Sequence, residues 1–318
     1  MAGPGAMLGL RRGQVEVRVE GRVVDRVPLA DVERIIVSET AGAVSVRLLV
    51  EAARHGVPIV FVGRDPDATG VVMPGVPSRT VAKTVAQALW RADAAKRLAV
   101  AKWFVRGKND GRIWLLKRLS KTRGEQLREE AYALEAYNAR ILGAGSIEEL
   151  RLVEAEAGRR YWAAVRAHGL IPAGEFPGRI PRRRLDPWNN SLDLLYAALR
   201  GVAHRALTLA GLNPYLGYMH VERSGRPSLT LDYMECYRWL AEWTLYKATG
   251  RGFRPGLEAD RLDVGTVRRL LTAWDAMLSS KYPGSRDTVA RVVERDAWRL
   301  GEALVDGGVW APQPLGAW

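Results

Sequence analysis

The sequence predicts an α+β protein in which a small β-rich domain precedes a larger, essentially all-helical domain. Two observations support this division. Apolar and polar residues alternate over 14–37 with the period of two that is typical of strands, and beyond residue 80 apolar residues recur with helical spacing. A chain of 318 residues is also long enough for two domains. We therefore place a sandwich-like β domain at 1–74, a linker at 75–79 and the helical domain at 80–318.

The first domain should contain short antiparallel strands and one helix. Valine and isoleucine alternate with polar residues over 14–37, with Gly21 at a turn, and further strands are predicted at 57–62 and 71–74. The helical spacing of apolar residues predicts a helix over 45–54. A domain of about 75 residues buries little apolar core, so we expect it to rest on the helical domain or on a second copy of itself.

The second domain should consist of helices separated by Gly, Pro and polar residues. The predicted helices are 80–106, 112–121, 126–142, 146–168, 190–209, 229–249, 264–279 and 285–304. Ser146, followed three residues later by Glu149, has the pattern of a capping box at a helix start. The Gly- and Pro-rich segment from Val305 onward is expected to be loose.

The composition is that of a globular protein without disulfides or a membrane segment. Hydrophobic residues make up 47% of the chain and charged residues 26%, which allows a substantial core. Cys236 is the one cysteine, so an internal disulfide and a multi-cysteine zinc site are both excluded. The sequence contains neither a secretory signal nor a run approaching the roughly 18 apolar residues of a membrane span. We expect a cytoplasmic protein with no membrane partner.

The formal net charge of +13 lies entirely beyond residue 74. Residues 1–74 contain nine Arg, no Lys and nine acidic residues, so the whole excess lies beyond them. A basic helical domain indicates a polyanionic partner such as DNA. The alternative is that the arginine content reflects a thermostable or GC-rich source.

The segment 211–238 carries the residue types of a divalent-metal site. His220 follows a turn-rich approach, and Asp232 and Glu235 lie three residues apart, on one face of a predicted helix. Imidazole nitrogen together with carboxylate oxygen suits Mn²⁺, Mg²⁺ or a similar ion. The alternatives are a structural histidine and two solvated acids. The apolar neighbours of the acids favour partial burial, however, and a buried acid costs free energy unless it is paired or metal-bound.

A third ligand is expected from the segment 153–162. Glu154 and Glu156 are two residues apart and point to different helix faces, so at most one of them can join the site. Glu154 shares its face with Ala157 and Gly158, and these small residues would let another helix approach closely.

The order and spacing of these motifs resemble the family called CRISPR-associated protein one. That family has a Glu seven residues before a Tyr-aromatic pair, a DP-x-N turn followed by GL-x-P-x-x-G-x-x-H, and an SL-x-x-D-x-x-E-x-x-R run. The matching residues are Glu154, Tyr161, Trp162, Asp186, Pro187, Asn189, Gly211, Leu212, Pro214, Gly217, His220, Ser228, Leu229, Asp232, Glu235 and Arg238. The resemblance extends from about residue 14 to residue 304, and the family's Lys-x-x-Asn-Gln element is matched imperfectly at Lys108 and Asn109.

The resemblance implies a two-fold dimer through the β domain and one Mg²⁺ or Mn²⁺ ion in the helical domain. The implied ligands are Glu154, His220 and Glu235, with Asp232 as a further catalytic residue that either supports the ligands or replaces one of them. The implied partners are duplex DNA fragments, the CRISPR repeat and the small companion subunit called CRISPR-associated protein two.

Several residues outside the ligand set are expected to contact DNA or support the site. Phosphate contacts are predicted for Arg182, Arg183 and Arg184 in a basic loop and for Lys281, and Arg238 is predicted to pair either with a ligand carboxylate or with phosphate. Tyr161 and Asn189 are expected to support the site, Tyr161 by packing or by touching DNA.

Two functions of different classes follow. The first is a metal-dependent DNA endonuclease and integrase that inserts short fragments into a CRISPR array. The second is a non-catalytic dimeric binder of branched or duplex DNA, in which the acids form only ion pairs. A relative that integrates a mobile element would keep the chemistry of the first and change its biological role.

Overall fold

The computed structural model describes residues 5–32, 35–38, 41–55, 57, 59–62, 69–72, 80–172, 174–180, 186–220 and 225–316. The chain divides into two compact units, Met1–Pro77 and Ser78–Trp318. The predicted linker at 75–79 lies outside the described residues, as do Arg182, Arg183 and Arg184. A strand-rich unit followed by a mostly helical one confirms the predicted α+β class.

The first unit contains seven described strands, one α-helix and the 3₁₀ turn Leu29–Asp31. The strands and the helix are β1 Met7–Arg11, β2 Gln14–Val19, β3 Arg22–Pro28, β4 Ile35–Ser38, β5 Ala43–Val44, α1 Val46–Arg54, β6 Ile59–Val62 and β7 Thr69–Val72. One sheet has the order β3-β2-β1-β5 and the other the order β4-β6-β7. Strands β2 and β3 are antiparallel, as predicted, with Val15 opposite Val27. Strand β1 was not predicted from the sequence.

The prediction of antiparallel strands throughout 14–37 is wrong for β4. This strand pairs with β6 in parallel, with Ile35 opposite Ile59, because α1 lies between the two strands and carries the chain back to the same end of the sheet. Helix α1 starts at the predicted place, where the Leu48 N–H donates to the Ser45 side chain at 3.3 Å. Its buried Leu48 packs in a core with Val15, Ile35 and other apolar side chains of the two sheets.

The second unit contains nine described helices and one short hairpin. These are α2 Thr80–Ala92, α3 Ala94–Arg123, α4 Gln126–Gly143, α5 Ile147–Ala167, α6 Pro187–Leu209, α7 Ser228–Met234, α8 Arg238–Gly250, β8 Leu257–Glu258, β9 Arg261–Leu262, α9 Val264–Ser279 and α10 Val289–Asp306. One large apolar core lies among them and includes the fully buried rings of Trp188, Trp239 and Tyr161. None of the helices in the described part of the chain is long and apolar enough to cross a membrane.

Helix α3 combines the end of the predicted helix 80–106 with the whole of the predicted helix 112–121. The predicted helix 80–106 breaks at Asp93, whose carboxylate accepts the Lys96 N–H at 2.9 Å and so starts a new helix. That helix then runs without a break through Gly107 and Gly111. A Cβ atom on Gly107 would lie 2.7 Å from the sulfur of Cys236, so this glycine permits close packing and does not end the helix.

The chain around Glu235 also differs from the single helix predicted over 229–249. Helices α7 and α8 are separated by the 3₁₀ turn Glu235–Tyr237. The turn packs against α3 and completes the close contact with Gly107 through Cys236. Glu235 is therefore the first residue of a tight turn whose side chains are buried.

The last helix and the segment after it correct two further predictions. Helix α10 begins after Thr288, whose hydroxyl caps it, and not at residue 285. The segment after it is not loose, because Trp310 is buried and the Trp114 indole N–H donates to the Gly316 carbonyl at 2.9 Å. The apolar Trp310 ring overrides the flexibility expected from Gly and Pro.

Candidate metal centre

Two acids of the predicted ligand set share one cation. Glu154 lies on α5, Glu235 lies in the turn between α7 and α8, and Lys108 of α3 reaches both. The Lys108 ammonium nitrogen is 2.5 Å from Oε1 of Glu154 and 2.8 Å from Oε2 of Glu235. The Glu235 side chain is 4% exposed and that of Glu154 is 17% exposed, so this is an ion-paired group at the edge of the core.

The predicted histidine is held by Asp232. Nδ1 of His220 lies 2.5 Å from Oδ1 of Asp232, and the backbone N–H groups of Tyr218, Met219 and His220 donate to the same carboxylate at 2.6, 3.0 and 3.0 Å. The backbone of residues 218–220 can surround the Asp232 carboxylate this closely because the preceding Gly217 has no side chain. A Cβ atom there would lie 2.6 Å from the Ser228 Cβ and 2.8 Å from Asp232 Oδ2.

The hydrogen bonds of Asp232 fix the tautomer of His220. An ionised carboxylate that already receives backbone N–H groups can only accept, so Nδ1 carries a proton and donates it to Asp232. In a neutral ring with this tautomer the lone pair is on Nε2, and a neutral ring nitrogen is what binds metals. Asp232 thus orients His220, and both of its oxygens are occupied in doing so.

The electrostatics of Glu235 keep it ionised although it is buried. Burial by itself raises the pKa of Glu235, but the positive charges of Arg238 and Lys108 outweigh burial and lower that pKa to about 2. Arg238 contributes through an ion pair of 2.8 Å to Oε1 of Glu235.

The residues present fit a divalent ion. Oε2 of Glu235 is buried, and its described partner is the Lys108 ammonium, 2.8 Å away. The buried carboxylate of Glu235, a second carboxylate on Glu154 and a histidine nitrogen make the mixed O and N donor set that suits Mg²⁺ or Mn²⁺. In the part of the chain that the structure describes, no three such side chains are yet gathered closely enough to hold an ion. Lys108 lies where the carboxylates would converge.

The other predicted residues are placed as follows. Arg238 pairs with the carboxylate of Glu235, and its guanidinium lies 4.6 Å from the centre of the Tyr196 ring. Tyr161 packs in the core, where its hydroxyl is 3.1 Å from that of Tyr246. Lys281 is exposed in the turn between α9 and α10, and no contact described for this structure joins it to the three ligand candidates.

Asn189 anchors the loop that precedes α6. Its side-chain oxygen accepts from Arg179 at 2.8 Å and from the Ile180 N–H at 3.0 Å, and its amide donates to the Gly178 carbonyl at 2.9 Å. Asp186 caps the same helix by accepting the N–H of Asn189 at 3.0 Å. The described residues Ile180 and Asp186 are therefore both hydrogen-bonded to Asn189 at the start of α6.

The sequence analysis did not assign Lys108 to the metal site. It also did not predict the buried ion pair that lies one helical turn further along α3. Arg112, one helical turn after Lys108, pairs with the fully buried Glu242 at 2.7 Å, and the Tyr196 hydroxyl donates to the same carboxylate at 2.8 Å. Lys108 and Arg112 are four residues apart and so share one face of α3, but this helix carries many other basic residues, and spacing alone did not single out these two.

Comparison with known proteins gives the family. The family model described as "CRISPR associated protein Cas1" matches residues 1–276. The chain belongs to the Cas1 family. It is 35% identical over 249 residues to the CRISPR-associated endonuclease Cas1 of Hyperthermus butylicus, covering 76% of this chain and 73% of the relative. It is 33% identical over 318 residues to "CRISPR-associated endonuclease Cas1 1" of Thermus thermophilus, covering 97% and 96%.

Solved structures share the Cas1 fold of this chain. A casposase bound to integration product superimposes with a TM-score of 0.83 at 18% identity, covering 98% of this chain and 91% of the casposase chain. A CAS1 protein from Thermotoga maritima gives a TM-score of 0.81 at 17% identity, with 99% of both chains covered. A Cas6-RT-Cas1–Cas2 complex gives 0.77 at 19% identity and covers 99% of this chain and 36% of that one.

Proposed function

We propose that this chain is a divalent-metal-dependent DNA endonuclease and integrase that inserts short DNA fragments, the spacers, into a CRISPR array. In integration a DNA 3′-OH attacks a phosphodiester, and in hydrolysis water does so. The observation that supports this most is that Glu154 and Glu235 meet at one cation, Lys108, while Asp232 holds His220 through Nδ1 of its ring. The names of the curated relatives, which are endonucleases, agree with it.

Glu154, His220 and Glu235 are the residues that would hold Mg²⁺ or Mn²⁺. Such an ion supplies charge stabilisation for the non-bridging oxygens of the phosphodiester. Asp232 holds the His220 ring in one tautomer, and Arg238 keeps Glu235 ionised. His220 does not serve as a free general base in this scheme, because one ring nitrogen is the ligand and the other donates to Asp232.

DNA binds to the basic helical unit through phosphate contacts. The net positive charge of the chain lies beyond residue 74, and the phosphate contacts of this proposal include Arg182, Arg183 and Arg184, which precede α6 in the sequence. Lys281, and Arg238 when it is not held by Glu235, are the further phosphate contacts of this proposal. Contacts of this kind position the DNA backbone without reading base sequence.

The partners in this proposal are a second copy of the chain, DNA and the companion subunit called CRISPR-associated protein two. The first unit is the dimerisation unit, and its β3 strand has all seven residues exposed. One structural neighbour is a complex that contains Cas1 and Cas2, and another is a casposase bound to integration product. Both agree with a protein that joins DNA ends as part of an assembly.

The test is strand transfer of a short duplex with free 3′-OH ends into a supercoiled plasmid, in Mn²⁺ or EDTA. Wild type should join the strands only in Mn²⁺, and His220→Ala should not join them. His168→Ala changes a histidine at the end of α5 and should behave like wild type. Joining by His220→Ala at the wild-type rate would contradict the assignment of His220.

A second candidate is a non-catalytic binder of branched or duplex DNA. One observation favours it: the acids already form ion pairs, Glu154 and Glu235 with Lys108, and Glu235 with Arg238. Tight DNA binding without joining or cleavage in Mg²⁺ or Mn²⁺, with the companion subunit present, would support this candidate.

A further inference from the structure

One ammonium group bridges the two carboxylates that the proposed function assigns to the metal. The Lys108 nitrogen is 2.5 Å from Glu154 Oε1 and 2.8 Å from Glu235 Oε2. The Lys108 side chain is 12% exposed, so it is enclosed but still reaches solvent. Neither acid is a sequence neighbour of Lys108, and the bridge therefore ties α5 and the 3₁₀ turn to α3.

The two acids depend on Lys108 to different degrees. Lys108 is the ion-pair partner that the structure describes for Glu154, whereas Glu235 also pairs with Arg238 through its other oxygen. Without the ammonium, two negative carboxylates would face each other in a poorly solvated place, where like charges repel strongly. Lys108 thus keeps the two acids close together.

A divalent ion would require the same oxygen atoms. Two cations held at the distance of a hydrogen bond repel each other, so the ammonium and the ion cannot both lie between Glu154 and Glu235. A lysine side chain can change conformation and move its ammonium out of the site, because the ammonium is carried on a flexible four-carbon stem. Arg238 has no such conflict, since it contacts only Oε1 of Glu235, away from Lys108.

We propose that Lys108 is an internal counter-cation that competes with the divalent ion for Glu154 and Glu235. It holds the two ligands together when no ion is bound and moves away when an ion binds, so it sets the ion concentration at which the site is filled. This inference rests on the proposed function, because it takes these acids as ligands.

The test compares Mn²⁺ binding by wild type, Lys108→Met and Lys117→Met, by titration calorimetry and by the electron paramagnetic resonance of free Mn²⁺. Lys117 is the matched control, because it lies on the same helix, pairs with Glu135 at 2.5 Å and is 13% exposed. Lys108→Met should bind Mn²⁺ about tenfold more tightly than wild type, since no ammonium has to be displaced. It should also unfold at a lower temperature in EDTA than Lys117→Met, which should bind Mn²⁺ as wild type does.

The outcomes separate this inference from the proposed function. Suppose that wild type binds Mn²⁺ and His220→Ala does not, which supports the proposed site. If Lys108→Met then binds Mn²⁺ no more tightly than wild type, the inference about Lys108 is overturned and the proposed function is not. An absence of Mn²⁺ binding by wild type and by Lys108→Met overturns both. Lys108→Gln keeps a hydrogen-bond donor without the charge, so the same comparison applies to it if Lys108→Met does not fold.

Discussion

His220 and Asp232 form one fixed unit in which Nδ1 of the ring lies 2.5 Å from Oδ1 of the carboxylate. The backbone N–H of His220 donates to the same oxygen at 3.0 Å, so the acid holds both the ring and the chain that carries it. The Asp232 side chain is 0% exposed, and water cannot compete for these bonds. Asp232 therefore sets the direction in which Nε2 of His220 points, and it does so without having to contact a metal ion itself.

Asp232→Asn should weaken Mn²⁺ binding by about 10- to 100-fold, the usual effect of losing the residue behind a histidine ligand. If the side-chain oxygen of the new amide accepts the backbone N–H groups of Tyr218 and Met219, the amide NH₂ group faces Nδ1 of His220 and cannot accept a hydrogen bond from it. The tautomer with the proton on Nδ1 is then no longer favoured. Calorimetry with Mn²⁺ measures the loss. Asp263→Asn, which changes a carboxylate that caps α9, is the control and should bind Mn²⁺ normally. Unchanged affinity in Asp232→Asn would contradict the role given to this residue.

Replacing Arg182, Arg183 and Arg184 together by Ala should reduce the salt dependence of DNA binding. Each lost phosphate contact lowers the slope of log K against log salt by about 0.9 for duplex DNA, so the full set lowers it by about 2.7. Fluorescence anisotropy at several salt concentrations measures the slope. The control is a triple variant of exposed arginines in the first unit, Arg11, Arg12 and Arg22, whose slope should match wild type. Equal slopes for all three proteins would show that this loop does not contact phosphate.

Glu242→Gln should cost about 3–5 kcal/mol of unfolding free energy at pH 7, because it leaves Arg112 buried without its counter-charge. Burial raises the pKa of Glu242, but Arg112 outweighs it and holds that pKa below the ordinary 4.5. The stability from this pair is therefore complete above pH 4.5 and declines as the pH falls further. Urea unfolding between pH 7 and pH 3 should show the gap between wild type and variant narrowing below pH 4.5.

The control for that experiment is Glu156→Gln, which changes a surface ion pair with Arg140. It should leave stability at pH 7 unchanged within error, because an exposed pair is screened by water. A gap between wild type and Glu242→Gln that stays constant down to pH 3 would contradict the assigned pKa direction.

Gly111→Ala should destabilise the helical unit by about 1–3 kcal/mol, because an added methyl would overlap the Trp239 ring. Gly201→Ala is the matched control on α6, where an added Cβ atom meets no neighbour within 4 Å. The control should gain about 0.5–1 kcal/mol from helix propensity. Urea unfolding distinguishes the two, and equal effects would show that α3 and Trp239 are not in close contact.

Trp310→Ala should cost about 3–5 kcal/mol, as for other buried aromatic rings. Its ring lies 5.6 Å from that of Phe104, and its N–H donates to the Asp296 carbonyl at 3.0 Å. The neighbouring Val309 is 85% exposed, so Val309→Ala should change stability by less than about 0.5 kcal/mol. Thermal unfolding of both variants is the measurement, and similar melting temperatures would mean that the final segment is not part of the core.

The fold was predictable where local signals agree. The limits of helix 264–279 are confirmed, because Asp263 caps its start and the apolar spacing is regular. Helix α3 was not predictable in the same way. Gly107 and Gly111 are typical of helix ends, and their actual role depends on Cys236 and Trp239, which lie far away in the sequence.

The candidate site was predictable as a set of residue types but not as an arrangement. His220, Asp232 and Glu235 lie in one short stretch of chain, and the structure joins the first two directly. The bridge from Glu154 to Glu235 through Lys108 depends on how α3 packs between two other elements. Periodicity within one helix carries no information about that packing.

The segment after α10 has a consequence for how the helical unit forms. The bond from Trp114 to the Gly316 carbonyl joins residues that are 202 positions apart. Contacts of such high sequence separation raise the contact order, and the loop-closure entropy must be overcome before they contribute. We therefore expect Trp114 and Trp310 to reach their native surroundings in the last kinetic phase of refolding, after the local helix pairs α3–α4 and α4–α5 have formed.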